Sequence, residues 1–150
     1  MSNIISTNRK AHRDYAVLDS FECGIELKGS EVKSLRQGKV NLNDSFARIE
    51  GKQVILYNTH ISPYFEASYL NVEPVRPRRL LLRASQIKKL AGQLTQKGLT
   101  LIPLKAYFSD RGFAKIELAL CKGKKLYDRR EDIKRRETEL EIRRAMKRRH

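Results

Sequence analysis

The stretch Tyr15-Ala16-Val17-Leu18-Asp19-Ser20-Phe21-Glu22-Cys23-Gly24-Ile25-Glu26-Leu27-Lys28-Gly29-Ser30 decides the fold. Its positions Tyr15, Val17, Phe21, Cys23, Ile25 and Leu27 are apolar, and they alternate with Asp14, Ser20, Glu22, Gly24, Glu26 and Lys28. A period of two belongs to a strand, whose successive side chains point to opposite faces, so this segment buries one face and exposes the other. Gly29-Ser30 breaks the pattern. Residues 31–37 then read as a short helix with Ser30 as N-cap, Val32 and Leu35 on one side, and Gly38 as its stop.

Outward from this stretch the two-residue period recurs. Residues 45–49 and 53–58 flank Glu50-Gly51-Lys52, a spacing suited to a hairpin whose glycine accepts positive φ. Residues 99–108 and 113–121 flank the turn sequence Ser109-Asp110-Arg111-Gly112, with Ile116, Leu118 and Leu120 alternating on one face. Pro103 has no N–H to give a ladder, so it marks an edge or a bulge. Residues 62–77 contain Pro63, Pro74 and Pro77 without any period and read as a surface loop ending in Arg76-Pro77-Arg78-Arg79. Leu80-Leu81-Leu82 follows. Ser85 then caps a helix over 86–96, in which Ile87, Leu90, Ala91 and Leu94 follow i, i+3, i+4, i+7 before Gly98 stops it. Short strands in hairpins, with no βαβ alternation, predict a mainly β chain with helices: an OB-like antiparallel β-barrel capped by short helices.

The 150 residues hold 32 Lys+Arg against 17 Asp+Glu, a net charge of +15, and 40% are hydrophobic. One domain plus a tail fits that length. Residues 122–150 carry 13 Lys+Arg and 6 Asp+Glu with only seven scattered apolar residues, too few to close a core. The chain therefore divides into a barrel over 1–121 and a basic C-terminal tail over 122–150. Asp128 and Glu131 resemble a capping box, and Glu131→Arg135, Asp132→Arg136 and Glu139→Arg143 place acid before base at i, i+4. Such pairs contribute about 0.2–0.5 kcal/mol each, so the free tail is expected to be disordered and to order against an array of phosphates. No apolar run approaches the roughly 18 residues that span a bilayer, and the first ten residues have no signal-peptide core; a cytoplasmic protein without a membrane partner is expected.

The chemistry of catalysis is thinly supplied. Cys23 and Cys121 exclude a disulfide framework, fall short of a four-ligand zinc site, and sit on strands as packing residues. There is no Gly-rich phosphate loop, no H-E-x-x-H and no G-x-S-x-G, and His12, His60 and His150 lie in unrelated settings. Glu22, Glu26 and Glu31 are interleaved with Lys28, Lys33 and Arg36 rather than clustered to hold Mg²⁺. No enzyme, cofactor or metal is expected. Binding is better supplied. The arm Asn8-Arg9-Lys10-Ala11-His12-Arg13-Asp14-Tyr15 mixes cations with an imidazole and a phenol, groups that contact phosphates and stack on unpaired bases. Lys33, Arg36 and Lys39 recur at i, i+3, i+6, a spacing equally suited to a phosphate backbone and to a solvated helix face. The charge points to a polyanion partner, a solvated basic arm being the plain alternative, and a ribosomal-RNA-binding protein fits this composition as well as any other.

Several stretches together resemble the small protein B (SmpB) family, the bacterial partners of transfer-messenger RNA. They are Asn8-Arg9-Lys10-Ala11, Phe21-Glu22-Cys23-Gly24, the run from Gly29 to Lys39 reading G-S-E-V-K-S-L-R-Q-G-K, Arg79-Leu80-Leu81-Leu82, the run from Gly98 to Lys105 reading G-L-T-L-I-P-L-K, Lys122-Gly123-Lys124-Lys125, and Asp128-Arg129-Arg130. The resemblance implies an OB-like barrel whose tail becomes helical on the ribosome. It implies an adaptor, monomeric when free, that binds the tRNA-like domain of transfer-messenger RNA and escorts it, with elongation factor Tu and GTP, into the A site of a stalled ribosome. The tail would then enter the empty messenger channel and stand in for codon–anticodon pairing.

Carried over by position, the RNA-facing residues would be Arg9, Lys10, His12, Arg13, Glu22, Lys33, Arg36, Leu81 and Lys115. Glu22 would accept from a base amine or a ribose hydroxyl. Leu81, core on composition alone, would be exposed. Lys122, Gly123, Lys124, Lys125, Tyr127, Asp128, Arg129 and Arg130 would meet ribosomal RNA at the decoding centre, with Tyr127 stacking on a base. Two departures concern His12-Arg13, where many members carry a basic residue followed by His, and Tyr127, where His also occurs.

Overall fold

The computed structural model describes residues 3–64, 72–96, 98–123 and 136–146. The elements run β1 (Asn3–Thr7), α1 (Arg9–Asp14), β2 (Tyr15–Ile25), α2 (Gly29–Arg36), β3 (Val40–Asn41), β4 (Phe46–Glu50), β5 (Gln53–Tyr57), β6 (His60–Ile61), β7 (Arg78–Leu81), α3 (Ala84–Gln93), β8 (Leu99–Phe108) and β9 (Ala114–Gly123). Every strand pair is antiparallel. The main sheet runs β1-β8-β4-β5-β7-β2-β9, and the further pairing of β8 with β9 closes it into a six-stranded barrel with β1 alongside β8. Closure removes the unpaired edges that make open sheets prone to aggregate. The expected OB-like barrel is the observed one.

The interior holds Cys23, Ala47, Val54, Leu56, Leu80, Leu101, Ala106, Ile116, Leu118 and Leu120, with Phe21 and Ile25 packed against them. These are the apolar positions of the alternating strands. Both hairpin glycines have left-handed φ, +62° at Gly51 and +83° at Gly112, which a side chain would strain. The register of β8 on β9 slips between Pro103 and Lys105, so Pro103 sits at a bulge, as its missing N–H requires.

A second slip, between Val17 and Asp19 of β2, modifies the reading of the opening stretch. Phe21, Cys23 and Ile25 line the barrel, but Val17 is exposed and Tyr15 packs on a separate cluster outside it. That cluster consists of Ala11, Ile102, Leu104, Ala119 and Cys121, where α1 covers one half of the β8–β9 outer face. Burial pushes the Cys23 thiol up to about 12 and the Cys121 thiol up to about 11, so both stay protonated packing residues.

The helix starts differ from the sequence reading. Ser30 lies inside α2 and Ser85 inside α3; the N-cap positions are Lys28 and Arg83. In each case the side chain three residues on reaches back to the cap's own N–H: Glu31 Oε1 accepts from Lys28 N at 2.9 Å, and Gln86 Oε1 from Arg83 N at 3.0 Å. On α3, Ile87, Leu90 and Leu94 pack on the core, whereas Ala91 is exposed. Residues 136–146 are helical with every residue exposed. Lys124, Lys125, Tyr127, Asp128, Arg129 and Arg130 lie outside the described residues.

Candidate nucleic-acid interface

In an antiparallel register, residues directly opposite one another share a face. Leu81 on β7 is opposite Gly24 on β2, Gly24 is opposite Lys115 on β9, Lys115 is opposite Tyr107 on β8, and Tyr107 is opposite Ile4 on β1. Five strands thus lay one row across the outside of the barrel. Two residues along, Glu22 is opposite Glu117 and Glu117 opposite Lys105, which makes a second, charged row. The half of the β8–β9 face that α1 leaves open carries both rows.

The polar groups of the rows hold one another. Glu22 Oε2 accepts from the Tyr107 hydroxyl, and its Oε1 lies 3.6 Å from Lys115 Nζ. Lys105 Nζ stands 3.6 Å from Glu117 Oε2. Burial, and the hydrogen bond that the Glu22 carboxylate accepts from it, push the Tyr107 phenol well above its ordinary range, so at neutral pH it remains a donor. Leu81 is 48% exposed whereas Leu80 beside it is buried. The strand alternation, not the apolar run, sets its direction, so the reading of Leu81 as core is corrected: it is a surface leucine. A groove lined by Glu22, Tyr107 and Ile4 adjoins one lined by Ile4, Arg36 and Phe108, with Ile4, Ser109 and Asp110 common to both. Arg36, whose guanidinium sits 6.0 Å from the Phe108 ring centre, therefore borders the same surface.

The other sequence-predicted residues are placed elsewhere. Lys33 turns to the Tyr64 ring, with Nζ 5.4 Å from its centre. Arg9, Lys10, His12 and Arg13 all lie on α1, over the covered half of the β8–β9 face. Lys10 donates to Asp44 Oδ1 at 2.6 Å, and Arg13 Nε is 3.5 Å from Asp14 Oδ1. Lys122 and Gly123 are the last residues of β9, opposite Ala16 and Tyr15 of β2.

Two framework residues hold these pieces in position. Asn8 is buried; its Oδ1 accepts from Ala11 N at 3.0 Å and its Nδ2 donates to Leu42 O at 3.1 Å and Pro103 O at 2.9 Å. It caps α1 and pins the basic arm to the bulge in β8. Asn8→Ala is expected to lower the unfolding free energy by about 1–3 kcal/mol, because two carbonyls and one N–H lose their partner. Urea denaturation tests this, and an unchanged midpoint would refute it. The second framework residue is Arg78, which begins β7 and reaches Glu31 of α2. Of the run Arg76-Pro77-Arg78-Arg79, read from sequence as the cationic end of a loop, Arg76 and Arg78 both turn to Glu31, and Arg79 points out.

Sequence reading missed Gly24 and Tyr107 at the surface and Asn8 and Arg78 beneath it. A glycine at an outward position of a strand interior is a signal of close approach, which was available for Gly24. Tyr107 shares outward parity with Lys105 once the bulge at Pro103 is placed.

Fold and composition define a class, the OB-like barrel in a strongly basic chain. The family model for "SmpB protein" matches residues 5–148, and the chain belongs to that family. The SsrA-binding protein of Caldicellulosiruptor saccharolyticus is 59% identical over 144 residues, 96% of this chain and 90% of that protein. The SsrA-binding protein of Carboxydothermus hydrogenoformans is 53% identical over 150 residues, the whole of both chains. A solved chain described as "tmRNA-SmpB: a journey to the center of the bacterial ribosome" is 52% identical with a TM-score of 0.68, covering 79% of this chain and 83% of that one.

Proposed function

We propose that this chain is a non-catalytic, cytoplasmic RNA-binding adaptor of ribosome rescue, monomeric when free, that binds the tRNA-like domain of transfer-messenger RNA through the outer face of its barrel. One observation carries the site: Glu22, Leu81 and Lys115, far apart in sequence, meet on one outward surface, with Leu81 exposed and only Gly24 between it and Lys115. An exposed leucine beside a lysine and a carboxylate suits a nucleotide, with the base or sugar on the leucine, a phosphate on Lys115 and a donor on Glu22. Relatives of 53–59% identity named SsrA-binding protein support the choice of RNA. Among the described residues no helix is long and apolar enough to cross a membrane.

Arg36, which borders this surface, and Arg9, Lys10, His12 and Arg13 on α1 and Lys33 on α2, which are set apart from it, add phosphate contacts. The barrel, with elongation factor Tu and GTP on the same RNA, reaches the A site of a stalled ribosome. There Lys122, Gly123 and the tail residues from Lys124 to Arg130 meet ribosomal RNA, and the tail fills the messenger channel.

Titration with the tRNA-like end of transfer-messenger RNA, with ordinary tRNA and a length-matched duplex as competitors, tests the reading. Preference for the tRNA-like end is expected; equal binding to all three would reduce the barrel to a generic basic surface. Lys115→Ala is expected to lower the slope of log affinity against log salt by about 0.7–0.9, the mark of one lost phosphate contact. An unchanged slope would place Lys115 off the backbone.

A further inference from the structure

Gly24 lies in the interior of β2, where a glycine weakens the strand and leaves a gap in its outer face. Gly38, Gly51, Gly98 and Gly112 have positive φ, so their backbones call for glycine; Gly24 does not. What distinguishes it is a neighbour. A Cβ built on Gly24 would stand 3.2 Å from Leu81 Cβ and 3.3 Å from Leu81 Cδ1, whereas Gly29, Gly92 and Gly123, the other described glycines without positive φ, have nothing within 4 Å. Leu81 thus lies down across the bare backbone of Gly24, between β7 and Lys115 on β9.

Resting on the RNA-binding reading above, we propose that Gly24 is a positioning residue for the RNA surface, its missing side chain holding Leu81 flat as an apolar shelf level with Lys115 and Glu22. A side chain at 24 points outward with Leu81 as its nearest neighbour, so it lifts Leu81 away from the barrel and puts the shelf and the Lys115 ammonium at different heights. A β-branched residue suits a pleated surface better than glycine does, and this offsets the few tenths of an ångström by which Leu81 must give. Stability and affinity therefore move apart. A merely structural glycine would move them together.

The test uses the full chain and the tRNA-like end of transfer-messenger RNA, with Gly24→Val, Gly24→Ala, Leu81→Ala and the combination of Gly24→Val with Leu81→Ala. Gly24→Val is expected to bind about tenfold more weakly, roughly 1.4 kcal/mol, with an unchanged or higher melting temperature and an unchanged salt slope. Gly24→Ala is expected to show a smaller loss in the same direction. In the Leu81→Ala background the valine is expected to cost nothing further, since the residue it displaces is gone. Full affinity in both Gly24 variants while Leu81→Ala binds weakly, or additive losses in the combination, would overturn the proposal and leave the RNA surface standing. Full affinity in Leu81→Ala would overturn that surface itself, and the proposal with it.

Discussion

Glu31→Ala is expected to destabilise the protein by about 3–5 kcal/mol, a large part of the roughly 5–15 kcal/mol that holds a domain folded. Glu31 is 3% exposed and Arg78 is 1% exposed, and Arg78 Nε donates to Glu31 Oε2 at 2.6 Å. Arg76 adds a second guanidinium, with Nε 3.1 Å from Glu31 Oε1. Arg78 also donates to Thr59 O at 2.6 Å and Pro74 O at 2.9 Å, so each of its three nitrogens has a partner. Without the carboxylate a buried cation keeps those neutral acceptors but has no counter-charge, and desolvation is then uncompensated. The pair also fastens α2, with Lys33 and Arg36, to β7, with Leu81, so the variant is expected to disturb the RNA surface as well as the fold.

The same carboxylate gives the stability a pH dependence. Burial acts to raise the Glu31 carboxyl, but hydrogen bonds from Arg76, from the Lys28 N–H and from Arg78 outweigh it and hold the group below the usual carboxylate range. A folded-state value below the unfolded one means stability that is fully present above the ordinary carboxylate range and lost as pH falls through the depressed value. Urea melts from neutral pH down into the acid range are expected to show this loss in the native protein and a shallower one in Glu31→Gln. Equal slopes in the two would remove Glu31 from the account.

The second large effect is functional. Ending the chain after Gly123, where β9 finishes, is expected to keep affinity for the tRNA-like end of transfer-messenger RNA within about tenfold and to abolish tagging of peptides on stalled ribosomes. The barrel strands, α1 and the Leu81–Lys115 row are all complete by that residue. The tail is where 12 of the remaining cations lie, on a segment with too few apolar residues to belong to the core. Tagging by the shortened chain would show that the tail does not act at the decoding site. Loss of RNA binding would show instead that recognition extends past the barrel.

Much of this was readable from residue order. Strand alternation located β2, β4, β5, β8 and β9 within one or two residues, and the i, i+3, i+4, i+7 pattern located α3, because these signals are local and strong. The resemblance named Glu22, Leu81 and Lys115. Sequence reading assigned no element to β1, α1 or β7, which are short, and it gave the N-caps to serines although the reverse bonds of Glu31 and Gln86 define the actual starts.

What residue order determined about this protein is its charge and its local plan: an excess of cations suited to a polyanion, alternating strands, and apolar residues concentrated before residue 122. Tertiary structure alone decided which residues share a surface. The bulge at Pro103 and the slip after Val17 reset which side chains face outward, and only barrel closure brings β7, β2, β9 and β8 side by side. That is why Leu81 lies at the surface rather than in the core, why Arg78 is a buried counter-ion to Glu31, and why Gly24 and Tyr107 share a row with Leu81 and Lys115. Direction along a strand is a local property, but the neighbour across it is set by register, and register depends on every strand in the ring.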